Sequence, residues 1–149
     1  MSKVDLQMVE NIKEYKSVGE IAAVLDKEIA NTKSNLGEYL RRLDEIRTLA
    51  EKSKKIRQIV TKLANKKSEI NESYGEMEIS GVKIILDANA FHEMTVIEQV
   101  ARSHQERLMV LQKAREGLRS LDQLGDTEGL NFIVLEKQGV PERILLKTT

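Results

Sequence analysis

LDKEIANTKSNLGEYLRRLDEI, residues 25–46, carries the helical periodicity on which the architecture of this chain turns. Its apolar positions step alternately by four and three: Leu25, Ile29, Thr32, Leu36, Tyr39, Leu43 and Ile46. That alternation puts them all on one narrow stripe of an α-helix, the pattern of a two-helix seam rather than of a helix sunk in a broad core. After one irregular step the stripe resumes as Leu49, Ser53, Ile56, Val60, Leu63, Lys67, Ile70 and Tyr74. A single 3-3 step of this kind is a stammer, which overwinds a coiled coil locally without ending it.

Working outward, Ser17-x-x-Glu20 reads as a capping box that opens this helix, and Gly75 suits the left-handed position that closes it. The only proline is Pro141, so no ring forces an earlier stop. Residues 20–74 as one helix would extend about 80 Å. Upstream, Ser2-x-x-Asp5 reads as another cap, opening a short helix with Val4, Met8, Ile12 and Tyr15. Downstream, Ile79 and Val82 flank Ser80-Gly81, a two-residue hairpin turn. Asp87 or Asn89 caps a second long helix bearing Met94, Ile97, Ala101, His104, Leu108, Leu111, Leu118 and Leu121 on one stripe. NFIVLEK, a QGVP turn and ERILLK complete a second hairpin, with both strand faces apolar.

The expected fold is mainly α with a small β element. It is an elongated antiparallel coiled coil or helical bundle carrying one or two β-hairpins, in the α+β class. The expected organisation is a short helix plus long helix over 1–74, a strand or hairpin over 75–88, a second long helix over 89–124 and a hairpin over 130–149, all in one elongated domain. Composition agrees: Ala, Glu, Lys, Leu and Arg make up nearly half the chain, and only five residues are aromatic. The seam is assigned to Leu25, Ile29, Leu36, Leu43, Ile46, Ile56, Val60 and Leu63, facing Ile97, His104, Leu108, Leu111 and Leu118. A lone hairpin is marginal in water, so a homodimer is expected to complete the bundle and the sheet.

Catalytic chemistry finds little footing. There is no cysteine, which excludes thiolate and disulfide chemistry. The histidines, His92 and His104, lie twelve residues apart, differing by about 120° and 18 Å on a helix, so they cannot share a metal. No glycine-rich phosphate loop and no nucleophile elbow occurs. The expectation is a non-enzyme without cofactor or metal. No apolar run reaches membrane-spanning length and the N-terminus is no signal peptide, so the expected compartment is the cytoplasm, with no membrane contact.

Net charge is zero, but its distribution is uneven. Residues 41–67 hold Arg41, Arg42, Arg47, Lys52, Lys54, Lys55, Arg57, Lys62, Lys66 and Lys67 against Asp44, Glu45 and Glu51, a local excess of seven positive charges. Solvated coils usually alternate signs, so these ten residues are a candidate polyanion site. Within residues 17–43, Glu20-Ile21-Ala22 and Leu25, followed by Thr32, Ser34 and Asn35, resemble the helix-turn-helix pattern. The segment departs from that pattern at Asp26 and at Lys27-Glu28-Ile29, and one continuous helix explains the same residues.

Three functions are therefore expected, in order. The first is a coiled-coil oligomerisation or scaffold protein that binds another macromolecule, expected to be a protein, through helix faces and hairpin edges. The second is a nucleic-acid-binding protein that uses residues 41–67. The third is a chaperone clamp: helices joined through a β-hairpin resemble prefoldin-type subunits, although order and lengths differ from that family.

Overall fold

The computed structural model describes residues 9–64, 76–85, 88–123, 125 and 127–148, with the backbone alone for residues 60, 61, 63 and 64. Among the described residues the chain forms β1 (Glu10–Tyr15), α1 (Val18–Ala64), β2 (Glu76–Ile79), β3 (Val82–Ile85), α2 (Ala90–Asp122), β4 (Leu130–Lys137) and β5 (Val140–Thr148). It is mostly helical, with two helices and two small antiparallel sheets, in the α+β class. Packing divides it into two units, residues 1–36 with 104–149, and residues 37–103.

The first unit is built on a three-stranded antiparallel sheet of order β1-β4-β5. β4 alternates strictly: Phe132, Val134 and Glu136 are buried, while Asn131, Ile133, Leu135 and Lys137 are only partly covered. Its buried face meets Val18, Ile21 and Leu25 from the start of α1 and Leu111 and Leu118 from α2. Two ion pairs tie the helices beside this core, Arg115 Nε to Asp26 Oδ1 at 2.8 Å and Arg107 Nη2 to Glu28 Oε2 at 3.2 Å. Gln138 and Gly139 both adopt left-handed φ values, 53° and 80°, which is the backbone a two-residue type I′ hairpin requires. A bulge interrupts the β4–β5 register at Leu135/Glu136.

Residues 10–15 correct the expected N-terminal helix. They form a strand, paired residue for residue with β4 from Glu10↔Lys137 to Tyr15↔Phe132. A helix this short has too few hydrogen bonds to offset its nucleation cost, whereas β4 offers a whole ladder of partners. Ser2 and Asp5 lie outside the described residues. The cap before α1 is as expected, with a one-residue offset: Ser17 Oγ accepts from the Glu20 amide, and Glu20 Oε2 accepts from the Lys16 amide.

In the second unit α1 continues unbroken, so residues 17–43 contain no turn and the helix-turn-helix resemblance is not realised. Thr32, one of the residues that carry the resemblance, is buried and donates to the Glu28 carbonyl of its own helix. The stripe also runs differently from the expected one. Leu49 is exposed and Ala50 is buried, so the covered positions are Leu43, Ile46, Ala50, Ser53 and Arg57. Steps of three and four are thereby kept without a stammer. On α2 the buried Ile97 and Ala101 hold the same spacing. β2 and β3 form the expected hairpin around Ser80-Gly81, both left-handed at φ 50° and 85°. Asn89 is the cap of α2: its Oδ1 accepts from the His92 amide, and His92 Nδ1 accepts from the Asn89 amide. Asp87 and Gly75 fall outside the described residues.

Candidate functional site

The expected seam residues sort by burial. Leu25, Leu43, Ile97, Leu111 and Leu118 are buried, and Ile29, Leu36, Ile46, His104 and Leu108 are half-buried. Ile56 is 62% exposed and does not belong to the covered stripe, because Ala50 and Arg57 set the stripe one position away from it. Nothing is described for the side chains of Val60 and Leu63. His104 has a partner and sits between Ala101 and Leu108 on its stripe.

The ten cations are not equivalent. Arg41 is held between Glu38 and Glu45, whose carboxylates, Glu38 first, raise its pKa above the ordinary value. Arg42 stacks over Tyr39, 5.4 Å from the ring centre, and Arg47 pairs with Asp44 at 3.6 Å. These three are engaged locally, as on any solvated helix. Lys52, Lys54, Lys55 and Lys62 are exposed, and no described carboxylate lies within ion-pair distance of them. Arg57 is half-buried on the covered side of α1. Lys66 and Lys67 lie outside the described residues. A cavity of about 290 Å³ opens beside Arg57, lined by Ser53, Lys54, Arg57 and Gln58 of α1 with Asn89 and Phe91 at the start of α2.

Exposed apolar surface is the other main feature, and each unit has its own. In the first unit, cross-strand register sets Ile12 opposite Leu135 and Ile133 opposite Leu145 on the sheet face away from the core. Ile12 is 72% exposed, and on β5 both Leu145, on this outer face, and Leu146, on the core face, are about half exposed. β5 is an edge of the sheet, with one side of its backbone unpaired among the described residues. In the second unit, Met77, Ile79, Val82 and Ile84 share one face of the β2–β3 hairpin, and the first three are exposed. Glu76 and Glu78 on the opposite face flank Lys83, which pairs with Glu76 at 3.0 Å.

Sequence reasoning missed Glu136, buried at the centre of the sheet, because its neighbours in FIVLEK read as a strand end. It also passed over Arg107, which donates from Nη1 to the Gln138 carbonyl at 2.7 Å and so clamps the β4–β5 turn to α2. Phe91 carries no local signal of a role in the sequence; its place beside α1 comes from the fold. Among the described residues no group of three or more His, Asp or Glu side chains is placed to hold a metal ion, and no helix is long and apolar enough to cross a membrane. No family model, curated protein or solved structure matches this chain.

Proposed function

We propose that this chain is a non-enzymatic assembly protein. In this reading α1 and α2 pair as an antiparallel coiled coil, and a second copy of the chain extends the sheet at β5. The 3-4 spacing of covered positions on both helices supports the pairing. So does the inverted order of the two ion pairs: Asp26 meets Arg115, and the later Glu28 meets the earlier Arg107.

The observation that carries the assembly is the β5 edge, unpaired along its backbone and half exposed at Leu145 and Leu146 on both faces. Such an edge is a template for another strand unless it is blocked. A two-fold axis normal to the sheet brings together residues that point to the same face, so it must pass through one residue. An axis at Leu145 would set Arg143 opposite Lys147 of the second copy, twice, and like charges directly opposed destabilise a sheet. An axis at Ile144 sets Arg143 opposite Leu145, with no like charges opposed in the regular part of the strand after the bulge at Glu142. The assembled surface, including the outer sheet face around Ile12 and Leu135, is then available to another protein by strand addition or apolar docking.

Light scattering tests this reading. A mass twice the 16.9 kDa of the chain is expected at tens of micromolar. Leu145→Lys and Leu146→Lys, which put charge on the edge strand, are expected to return the protein to monomers with its helix content intact. A monomeric wild type would remove the proposal.

A further inference from the structure

The groove between α1 and the first turn of α2 carries a binding function separate from assembly. We infer that it binds single-stranded nucleic acid, with a base stacked on Phe91 and backbone phosphates held by Lys54 and Arg57.

Three features meet there. Phe91 is 47% exposed although it lines a concave site, which leaves a flat apolar face available to a planar ligand. Lys54 and Arg57 lie one turn of α1 apart in the same wall. Ser53 and Gln58 add neutral hydrogen-bonding groups that suit base edges or sugar hydroxyls. Aromatic platforms beside a cationic wall are the usual means of holding a single strand without reading its sequence.

The surroundings select a polymer over a mononucleotide. A second concavity on α1, lined by Thr48, Glu51, Lys52, Lys54, Lys55 and Gln58, shares Lys54 and Gln58 with the groove. The cations therefore continue past the ring as a track, with Glu51 the one acid between Arg47 and Ala64. They also select a single strand over a duplex, whose bases are stacked on each other and cannot reach Phe91. An anionic lipid surface fits the groove less well. The exposed aliphatics Leu49, Ile56 and Ile59 lie about 140° around α1 from the groove residues, so a bilayer that buried them would face away from Phe91.

The chain contains no tryptophan, so Phe91→Trp supplies a single tryptophan in the groove, excited at wavelengths where the three tyrosines do not absorb. Titration with oligo(dT) is expected to quench it, while wild type binds labelled oligo(dT) in an anisotropy assay. That binding is expected to weaken with salt, and Lys54→Gln with Arg57→Gln should flatten the slope of log K against log salt by about 0.7 per lost contact. Phe91→Ala and Phe91→Leu are each expected to weaken binding by about five- to a hundredfold with circular dichroism unchanged. Equal or tighter binding to duplex of the same length, preference for anionic phosphatidylserine vesicles, absence of quenching, or wild-type affinity in Phe91→Ala would each overturn the inference. A dimer that binds no nucleic acid would refute this site and leave the assembly reading standing.

Discussion

Tyr15 donates its hydroxyl to Oε2 of Glu136 at 3.2 Å, joining residues 121 positions apart at the buried face of the sheet. Lys13, on the same strand, places Nζ 3.7 Å from the other carboxylate oxygen. A buried carboxylate is tolerated when its lone pairs are met, and these two partners from β1 meet them. The pair fixes β1 in register on β4, which an apolar residue at position 136 would do less selectively.

Removing one partner from such a pair costs more than removing both. Tyr15→Phe is expected to destabilise the protein by about 1–3 kcal/mol, because the Glu136 carboxylate keeps its burial and loses a donor. Tyr15→Phe combined with Glu136→Leu is expected to recover much of that loss. Urea unfolding of the two variants measures it; equal stability of the single variant and the wild type would show that the hydroxyl contributes nothing.

Burial, and then the negative charge of Glu136, raise the pKa of Tyr15 above 10.0, the ordinary tyrosine value. A raised pKa means that the folded state holds the proton more tightly than the unfolded state. Its contribution is therefore complete below pH 10 and is lost as pH rises through the folded-state value. Melting temperature followed upward from pH 9 should fall more steeply for wild type than for Tyr15→Phe. Parallel curves would contradict the assignment.

Arg107 joins α2 to the β4–β5 turn and to α1 at once. Arg107→Ala is expected to cost about 1–2 kcal/mol, a range kept low because the side chain is partly exposed. Arg107→Lys is not expected to rescue it, since an ammonium cannot span both acceptors with the guanidinium's planar geometry. Gly139→Ala strains the same place, as its φ is 80° and an added Cβ would stand 3.3 Å from Arg107 Nη2. Thermal denaturation of the three variants checks the order.

The position of the covered stripe on α1 gives a fourth expectation. Ala50→Leu should destabilise by about 1–3 kcal/mol through overpacking, and Leu49→Ala should change the stability of the single chain by no more than about 0.5 kcal/mol. The reverse order would restore the stammered stripe through Leu49.

That stripe also shows what could be read in the sequence and what could not. The long helices, both hairpins and the Ser80-Gly81 turn follow from local signals of spacing, caps and residues able to take left-handed φ, whereas the QGVP turn tightens to Gln138-Gly139, with Val140 and Pro141 already in β5. Size favours Leu49 over Ala50 in the sequence, but burial selects Ala50, because close helix packing can favour the smaller side chain. Nothing local marks ENIKEY as a strand, because it becomes one only through β4, more than a hundred residues later. Glu136, Arg107 and Phe91 share that difficulty: each acquires its meaning from partners that spacing along the chain cannot supply. The basic run is legible as an excess of charge, but the local engagement of Arg41, Arg42 and Arg47, and the distance of Lys52, Lys54, Lys55 and Lys62 from every described carboxylate, needed coordinates.

Assembly through β5 is tested most directly by cross-linking, because the chain has no cysteine of its own. Directly opposed residues of an antiparallel pair have Cα atoms about 4.5–5.5 Å apart, within the range a disulfide spans. Ile144→Cys is predicted to oxidise rapidly and nearly completely to a covalent dimer under native conditions, leaving helix content unchanged. Glu128→Cys, in the loop before β4, serves as the control for random collision. Oxidation of Ile144→Cys no faster than that of Glu128→Cys would rule out pairing of two copies at Ile144 of β5.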